Sequence, residues 1–440
     1  MRAASLLAWF SSPAAKWTGF FSFVLLFSWS SIDFNSKVPL DDWKHDLRAD
    51  ASGYYIYLPG LFHHGMHAAN VPDSLREVAG RGFTLDREHD LIITKYTCGP
   101  AILMLPFFLV AELITGPGST DGWSRTHHQA IEVAGIFYWS LGLFLLIGAM
   151  QRWRPAAAAV AALMVLCIAF GTNTFYYAFR AAGYSHIYSF FLVCVALRAV
   201  YSNPGSGMRA GWRWAFLFAC ALLVLIRPID IVAVLALLGL LWMARPDELR
   251  NPRFYLRGAI AALVIAAPQL IYWKFAHGTW VVYSYGEEGF VNWSSPFWLE
   301  VLLAPCNGVL PHAPVLFLLP FGLVALWARS ARQGALVTGC IVLILYSFAA
   351  WHSWHFGCGY GMRPFVQYTP FAAMALWALF AWLKERATPV LHGLVPLLVL
   401  VCFINYRAML QYGVCYVAGD WEWSAYGRNL LEAFFGRLPF

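Results

Sequence analysis

Charge is scarce in this chain. Of its 440 residues only 12% are Asp, Glu, Lys or Arg, against roughly 25% in an average soluble domain. So few ions exclude an ordinary water-soluble enzyme. Other features are missing too. The nine cysteines show no paired metal-type spacing and most lie in apolar runs, where a thiol behaves as a small hydrophobe. Neither a disulfide framework nor a zinc site is implied. No internal repeat is visible, and no polar stretch is long enough to fold as a soluble domain. The apolar run that follows Arg2 and Lys16 lacks a small-residue cleavage site, so it reads as a retained first helix.

What is abundant is hydrophobicity, 60% of the residues, with 17% aromatic. Apolar runs suited to a hydrocarbon core of about 30 Å lie near residues 17–33, 129–149, 156–172, 187–202, 210–226, 229–244, 256–275, 309–328, 335–352, 364–383 and 389–408. The expected fold is all-α: a polytopic transmembrane helix bundle of about eleven spans with a large outer loop, residues 33–128, that carries interfacial helices. Residues 1–409 read as one transmembrane module and 410–440 as a short outer tail.

One further apolar segment, 97–115, contains Pro100, Pro106 and Glu112. If it stays on the outer side, the short inner loops hold Arg152, Arg154, Arg209, Arg213, Arg245, Arg250, Lys384 and other bases, against only Asp247, Glu248 and Glu385. That is the positive-inside pattern; if the segment crosses, the pattern inverts. The expectation is therefore a non-crossing segment, N-terminus inside and C-terminus outside. The runs at 210–226 and 229–244 are separated only by Arg227-Pro228-Ile229-Asp230. A single helix of their combined length would measure about 50 Å, so they read as a tight hairpin. The net charge of +7 is assigned to orientation, and no nucleic-acid partner is expected.

This topology gathers polar groups at the outer side. Asp50 stands before Tyr54 and Tyr55, where a carboxylate can act as general base, partial desolvation lifting its basicity, or can cap a helix. Lys95 precedes the non-crossing helix, at a height suited to a lipid phosphate or to simple snorkelling. Between spans three and four lie Arg180 and His186, a phosphate or sugar contact or a structural pair, with tyrosines as walls. Arg227 is a further phosphate candidate, while Asp230 reads as its neutralising partner. Glu287 and Glu288, bounded by glycines, suit sugar hydroxyls or a solvated turn. Trp354, His355 and Arg363 belong to a stretch rich in Trp, His and Gly that an aromatic belt alone does not call for. No metal set is expected; His352 and His355 have no obvious third ligand.

These elements resemble the GT-C superfamily of polyprenyl-phosphate-dependent membrane glycosyltransferases, the group containing protein O-mannosyltransferases and lipid A aminoarabinose transferases. The resemblance covers most of the chain. It is carried by Asp50 with the later Tyr54-Tyr55, by Lys95-Tyr96, and by Phe170-Gly171-Thr172-Asn173 with Ser185-His186. Arg227-Pro228, the run Tyr285-Gly286-Glu287-Glu288-Gly289-Phe290 and the Trp- and Gly-rich stretch ending in Arg363 complete it. It implies that Asp50 is the catalytic base and that Lys95 holds the lipid phosphate. Related enzymes often carry a second acid between spans three and four. This chain has Tyr184-Ser185-His186 there, so a two-acid mechanism, and a divalent metal held by two acids, is not implied.

The resulting expectation is an inverting transfer of a sugar from a polyprenyl-phosphate donor to a lipid, glycan or protein acceptor. It would occur at the outer, periplasmic face of a bacterial inner membrane, without a cofactor. Two other classes fit a polytopic chain: a transporter or flippase of a lipid-linked saccharide, and a glycan ligase or polymerase. A transporter predicts inverted repeats and broken helices near mid-membrane, and neither is seen in the sequence.

Overall fold

A computed structural model describes residues 13–40, 42, 45–116, 118, 120–202, 207–413 and 421–436. Arg2, expected among the inner charges, and residues 414–420 of the expected tail lie outside the described residues, as does the side chain of Lys16.

The expected spans are realised as helices, from Pro13–Asn35 through Arg125–Trp153 to Thr388–Gln411, except that 309–328 is broken at Ala313 into Val309–His312, the 3₁₀ stretch Pro314–Leu318 and the helix Leu319–Arg329. Five are long and apolar enough to cross a membrane by length and composition, and shorter apolar helices accompany them. The chain is a multi-pass helical membrane protein. Arg125–Trp153 has 29 residues, about 44 Å of helix at 1.5 Å per residue. That exceeds a hydrocarbon core of about 30 Å, so it has length to spare for tilt or for turns outside the core.

The short link at Arg227 does reverse the chain. Arg227 is extended, and Pro228–Asp230 forms one 3₁₀ turn before the helix Ile231–Ala244. The reversal is shown by Arg213 and Glu248, at the two far ends of the pair, which meet at 2.7 Å. Arg227 and Asp230, expected to neutralise each other, instead part. Asp230 is buried and accepts hydrogen bonds from Gln367 Nε2 at 3.1 Å and Tyr368 Oη at 3.0 Å.

The segment 97–115 forms the helix Gly99–Thr115, and both its ends are tied to one end of the bundle. At its start Thr97 Oγ1 donates to the Ile226 carbonyl at 3.1 Å. Near its finish Glu112 meets His127 Nε2 at 2.7 Å and His63 Nε2 at 2.9 Å. The rest of the loop holds the short helices Asp50–Tyr55, Tyr57–Phe62 and Asp73–Ala79. It also holds a small antiparallel strand pair, Thr84–Asp86 with Leu91–Ile93, which the all-α expectation did not include. The tail forms a helix, Trp423–Phe435, fastened by Tyr426 Oη to the Pro311 carbonyl at 2.6 Å.

Cys358 is disulfide-bonded, which corrects the expectation that no disulfide is formed.

Candidate active site

Asp50 opens the helix Asp50–Tyr55, but its carboxylate caps nothing: the helix start has no side-chain cap hydrogen bond. The position is built by backbone constraint. Ala49 is held at φ 54°, the left-handed region, which costs a non-glycine residue roughly 1–3 kcal/mol. The surrounding chain enforces it: the Ala49 amide donates to the Ala79 carbonyl at 3.0 Å and Arg48 Nη1 to the Val78 carbonyl at 3.1 Å. Gly82 and Gly53 pack against this turn so closely that a Cβ on either would overlap its neighbours.

The carboxylate points into a cavity of about 340 Å³. Tyr96 Oη donates to Asp50 Oδ1 at 2.5 Å, and Arg363 Nη2 donates to Oδ2 at 2.6 Å. Arg363 also lies over the Tyr184 ring at 5.1 Å. Lys95 Nζ meets Glu288 Oε1 at 2.6 Å, with both side chains about one-third exposed. Arg227 Nη1 lies 3.2 Å from His186 Nδ1 and has no carboxylate partner among the described residues. Tyr54 stacks on Tyr96 with ring centroids 4.6 Å apart and accepts a hydrogen bond from Ser185 Oγ at 3.2 Å.

Three cations therefore share the cavity with two carboxylates. Burial pushes the Asp50 carboxyl up, but the Arg363 charge, the Tyr96 hydrogen bond and the Lys95 charge outweigh it and hold the group below the usual aspartate range. This corrects the expectation that desolvation lifts its basicity: the counter-charges win. Burial and the Asp50 charge beside it push the Tyr96 phenol far up, so it stays a proton donor.

Of the residues singled out in the sequence, the structure brings Asp50, Tyr54, Lys95, His186, Arg227, Glu288 and Arg363 to this cavity. Five others lie elsewhere. Tyr55 turns the opposite way and donates to the Gly122 carbonyl at 2.7 Å. Arg180 is buried and donates to the carbonyls of Leu410 and Tyr412 at 3.0 and 2.6 Å, tying down the end of the last span. Glu287 is exposed, because adjacent residues of the turn face apart. Trp354 is buried against Phe297. His355 braces its own loop, taking the Gly357 amide on Nδ1 at 3.0 Å.

The sequence reading missed the role of Tyr96, although its Lys95-Tyr96 element was noticed. Tyr285, Trp351 and His352 stand in stretches the sequence reading noted but were given no role in the site, and they too line the cavity.

No protein-family model and no curated protein match the sequence. Among solved structures, the chain superposes on ArnT from Cupriavidus metallidurans, determined bound to undecaprenyl phosphate. The match has a TM-score of 0.57 at 15% identity and covers 96% of this chain and 70% of that one. The chain shares the fold of that protein. Within that frame the cavity is bounded by the helix at Asp50, the hairpin turn at Arg227 and the loop that ends at Arg363.

Proposed function

We propose that this protein is a glycosyltransferase that moves a sugar from a polyprenyl-phosphate donor to a cell-envelope acceptor, with inversion at the anomeric carbon. The observation that carries this reading is one carboxylate, Asp50, sharing a 340 Å³ cavity with Lys95, Arg227 and Arg363. A second support is the fold shared with a protein solved with undecaprenyl phosphate bound.

The acceptor hydroxyl gives its proton to Asp50 as its oxygen bonds to the anomeric carbon, and the bond from that carbon to the phosphate oxygen breaks. The departing phosphate keeps the electron pair as an anion and needs no proton. Its developing charge is met by fixed cations in a water-poor site, a dominant source of transition-state stabilisation. Arg227, which makes no direct ion pair among the described residues and lies against His186, is the first ligand for the phosphate. Lys95 exchanges Glu288 for it. When Arg363 also turns to the phosphate, Asp50 loses its counter-charge and becomes a stronger base, so donor binding itself prepares the proton acceptor. Tyr54, Tyr184 and Tyr285 supply faces for the sugar ring.

The disulfide at Cys358, in the loop leading to Arg363, favours an oxidising compartment. That supports placing the cavity at the outer face, periplasmic if the membrane is a bacterial inner membrane.

The test is to incubate the purified protein with polyprenyl-phosphate monosaccharides and acceptor lipid, glycan and peptide, and to weigh the products by mass spectrometry. A product heavier by one sugar, with polyprenyl phosphate released and the anomeric configuration inverted, is the expected result. Movement of intact donor across vesicles without bond exchange overturns the proposal in favour of transport.

A further inference from the structure

Away from the cavity, a second polar cluster fastens the start of the outer loop to the Arg125–Trp153 helix. His45, Asp46 and His128 are buried, with side chains only 1% exposed. His45 Nδ1 lies 2.7 Å from Asp46 Oδ1, and His128 Nδ1 lies 3.2 Å from the same oxygen. The two Nδ1 atoms are 2.8 Å apart, and the rings cross at 84°. Two imidazole nitrogens and one carboxylate oxygen thus converge on one point from a loop and a helix.

Hydrogen bonding alone leaves this triangle poorly satisfied. If both Nδ1 atoms carry protons, two N–H groups confront each other across 2.8 Å. If one is bare, its lone pair shares a single proton already directed at the carboxylate. In both cases Asp46 Oδ2 stays buried with no hydrogen-bond partner, whereas buried polar atoms are nearly always paired. Glu132 follows His128 by one helical turn on the same face; it too is buried, and its Oε2 has no partner. Asp46 thus brings a negative charge into a region where uncompensated charge is costly. A divalent cation compensates it with both imidazoles neutral.

We propose that His45, Asp46 and His128 bind a divalent first-row metal ion, zinc fitting best, and that the ion clamps the outer loop to the bundle. Nitrogen-dominated donors select against calcium and magnesium, which take oxygen ligands. Zinc–nitrogen bonds of about 2.0–2.1 Å in tetrahedral geometry set ligand atoms about 3.3 Å apart, so the triangle opens by about half an ångström. Water takes the fourth position. The site is distinct from the cavity and does not depend on the proposed transfer reaction. Because Asp46 precedes Asp50 by one helical turn's length of chain, the clamp also fixes where that loop presents Asp50.

The experiment uses the full chain in detergent, purified with an affinity tag free of histidine. Metal content is measured by plasma mass spectrometry before and after chelation, with thermal unfolding followed as zinc is returned. The expected result is about one tightly held zinc per chain, a Tm that falls on chelation and recovers with zinc, and loss of the metal in His128→Gln and Asp46→Asn. The control His89→Ala, at an exposed histidine, keeps it. Cobalt in place of zinc gives visible ligand-field absorption in the wild type and none in His128→Gln. The proposal is overturned if stripped wild-type protein takes up no zinc and its Tm does not respond, or if both variants retain full metal content. The wild-type measurements decide the matter even where a variant fails to fold.

Discussion

Arg363 Nη2 donates to Asp50 Oδ2 at 2.6 Å across 313 residues of sequence. That contact ties the loop before the penultimate span to the first outer loop and sets the protonation of the group placed at the centre of the chemistry.

Replacing Asp50 with Asn keeps the shape of the side chain and removes the base. Turnover is expected to fall by about 10²–10⁴-fold, the usual contribution of a positioned general base, with polyprenyl-phosphate binding retained. Initial rates alongside a direct binding titration check this. Undiminished turnover in a folded Asp50→Asn protein excludes the residue as base.

The pH behaviour follows from the direction of the Asp50 shift. Its carboxyl is held below the ordinary aspartate range by Arg363, Tyr96 and Lys95 against the opposing effect of burial. A depressed folded pKa contributes stability that is fully present above the unfolded value, about 3.9, and is lost as pH falls through the lower folded value. Before donor binds, Asp50 therefore contributes no loss of stability between pH 5 and 8, roughly the window of maximal stability. In Arg363→Gln the principal lowering charge is gone while burial still acts, so the stability Asp50 contributes at neutral pH, and its loss on acidification, both shrink. Thermal unfolding across pH for both proteins tests this: the wild type should exceed the variant at neutral pH and the gap should narrow below about pH 4, and a gap that does not change with pH would contradict the pairing.

Glu288 competes with phosphate for Lys95. Because that pair is about one-third exposed, it contributes only about 0–1 kcal/mol to stability, and Glu288→Gln should leave Tm nearly unchanged. Polyprenyl-phosphate affinity should rise several-fold in the same variant, and fall in Arg227→Ala. Isothermal titration with a short-chain polyprenyl phosphate reads both, and opposite signs for the two variants are required.

The turn that presents Asp50 relies on missing side chains. A Cβ at Gly82 would overlap the Ala49 carbonyl and Ser52 Oγ, and one at Gly53 the Tyr96 ring. Gly82→Ala and Gly53→Ala are expected to cost about 1–3 kcal/mol, as overpacked sites do. They should reduce turnover beyond what lost stability explains, since both displace Asp50 or its hydrogen-bond donor. Gly339→Ala, where a Cβ meets nothing within 4 Å and the backbone is helical, is the control for crowding. Equal effects at all three positions would contradict the packing argument.

The candidate site was partly legible before folding. Lys95, Arg227 and Arg363 stand out because cations near apolar runs are rare and must face something polar. Arg180 stands out equally by that criterion, yet it spends its donors on the carbonyls of Leu410 and Tyr412. Only the direction of the side chain separates the two cases. Tyr54 and Tyr55 are neighbours, but successive helical residues point about 100° apart, so one lines the cavity and the other meets Gly122.

By itself the sequence determined the helical class, the approximate position of most spans, the apolar helix Gly99–Thr115 and the reversal at Arg227. Hydropathy, segment length and charge asymmetry act locally along the chain, so they can be read without knowing any partner. Tertiary structure alone decided that Arg363 meets Asp50 rather than Glu288, that Asp230 turns to Gln367 and Tyr368 instead of Arg227, and that His45 and Asp46 reach His128. Those pairings depend on how helices distant in sequence pack, and a charge in a low-dielectric interior takes whichever partner that packing brings within a few ångströms.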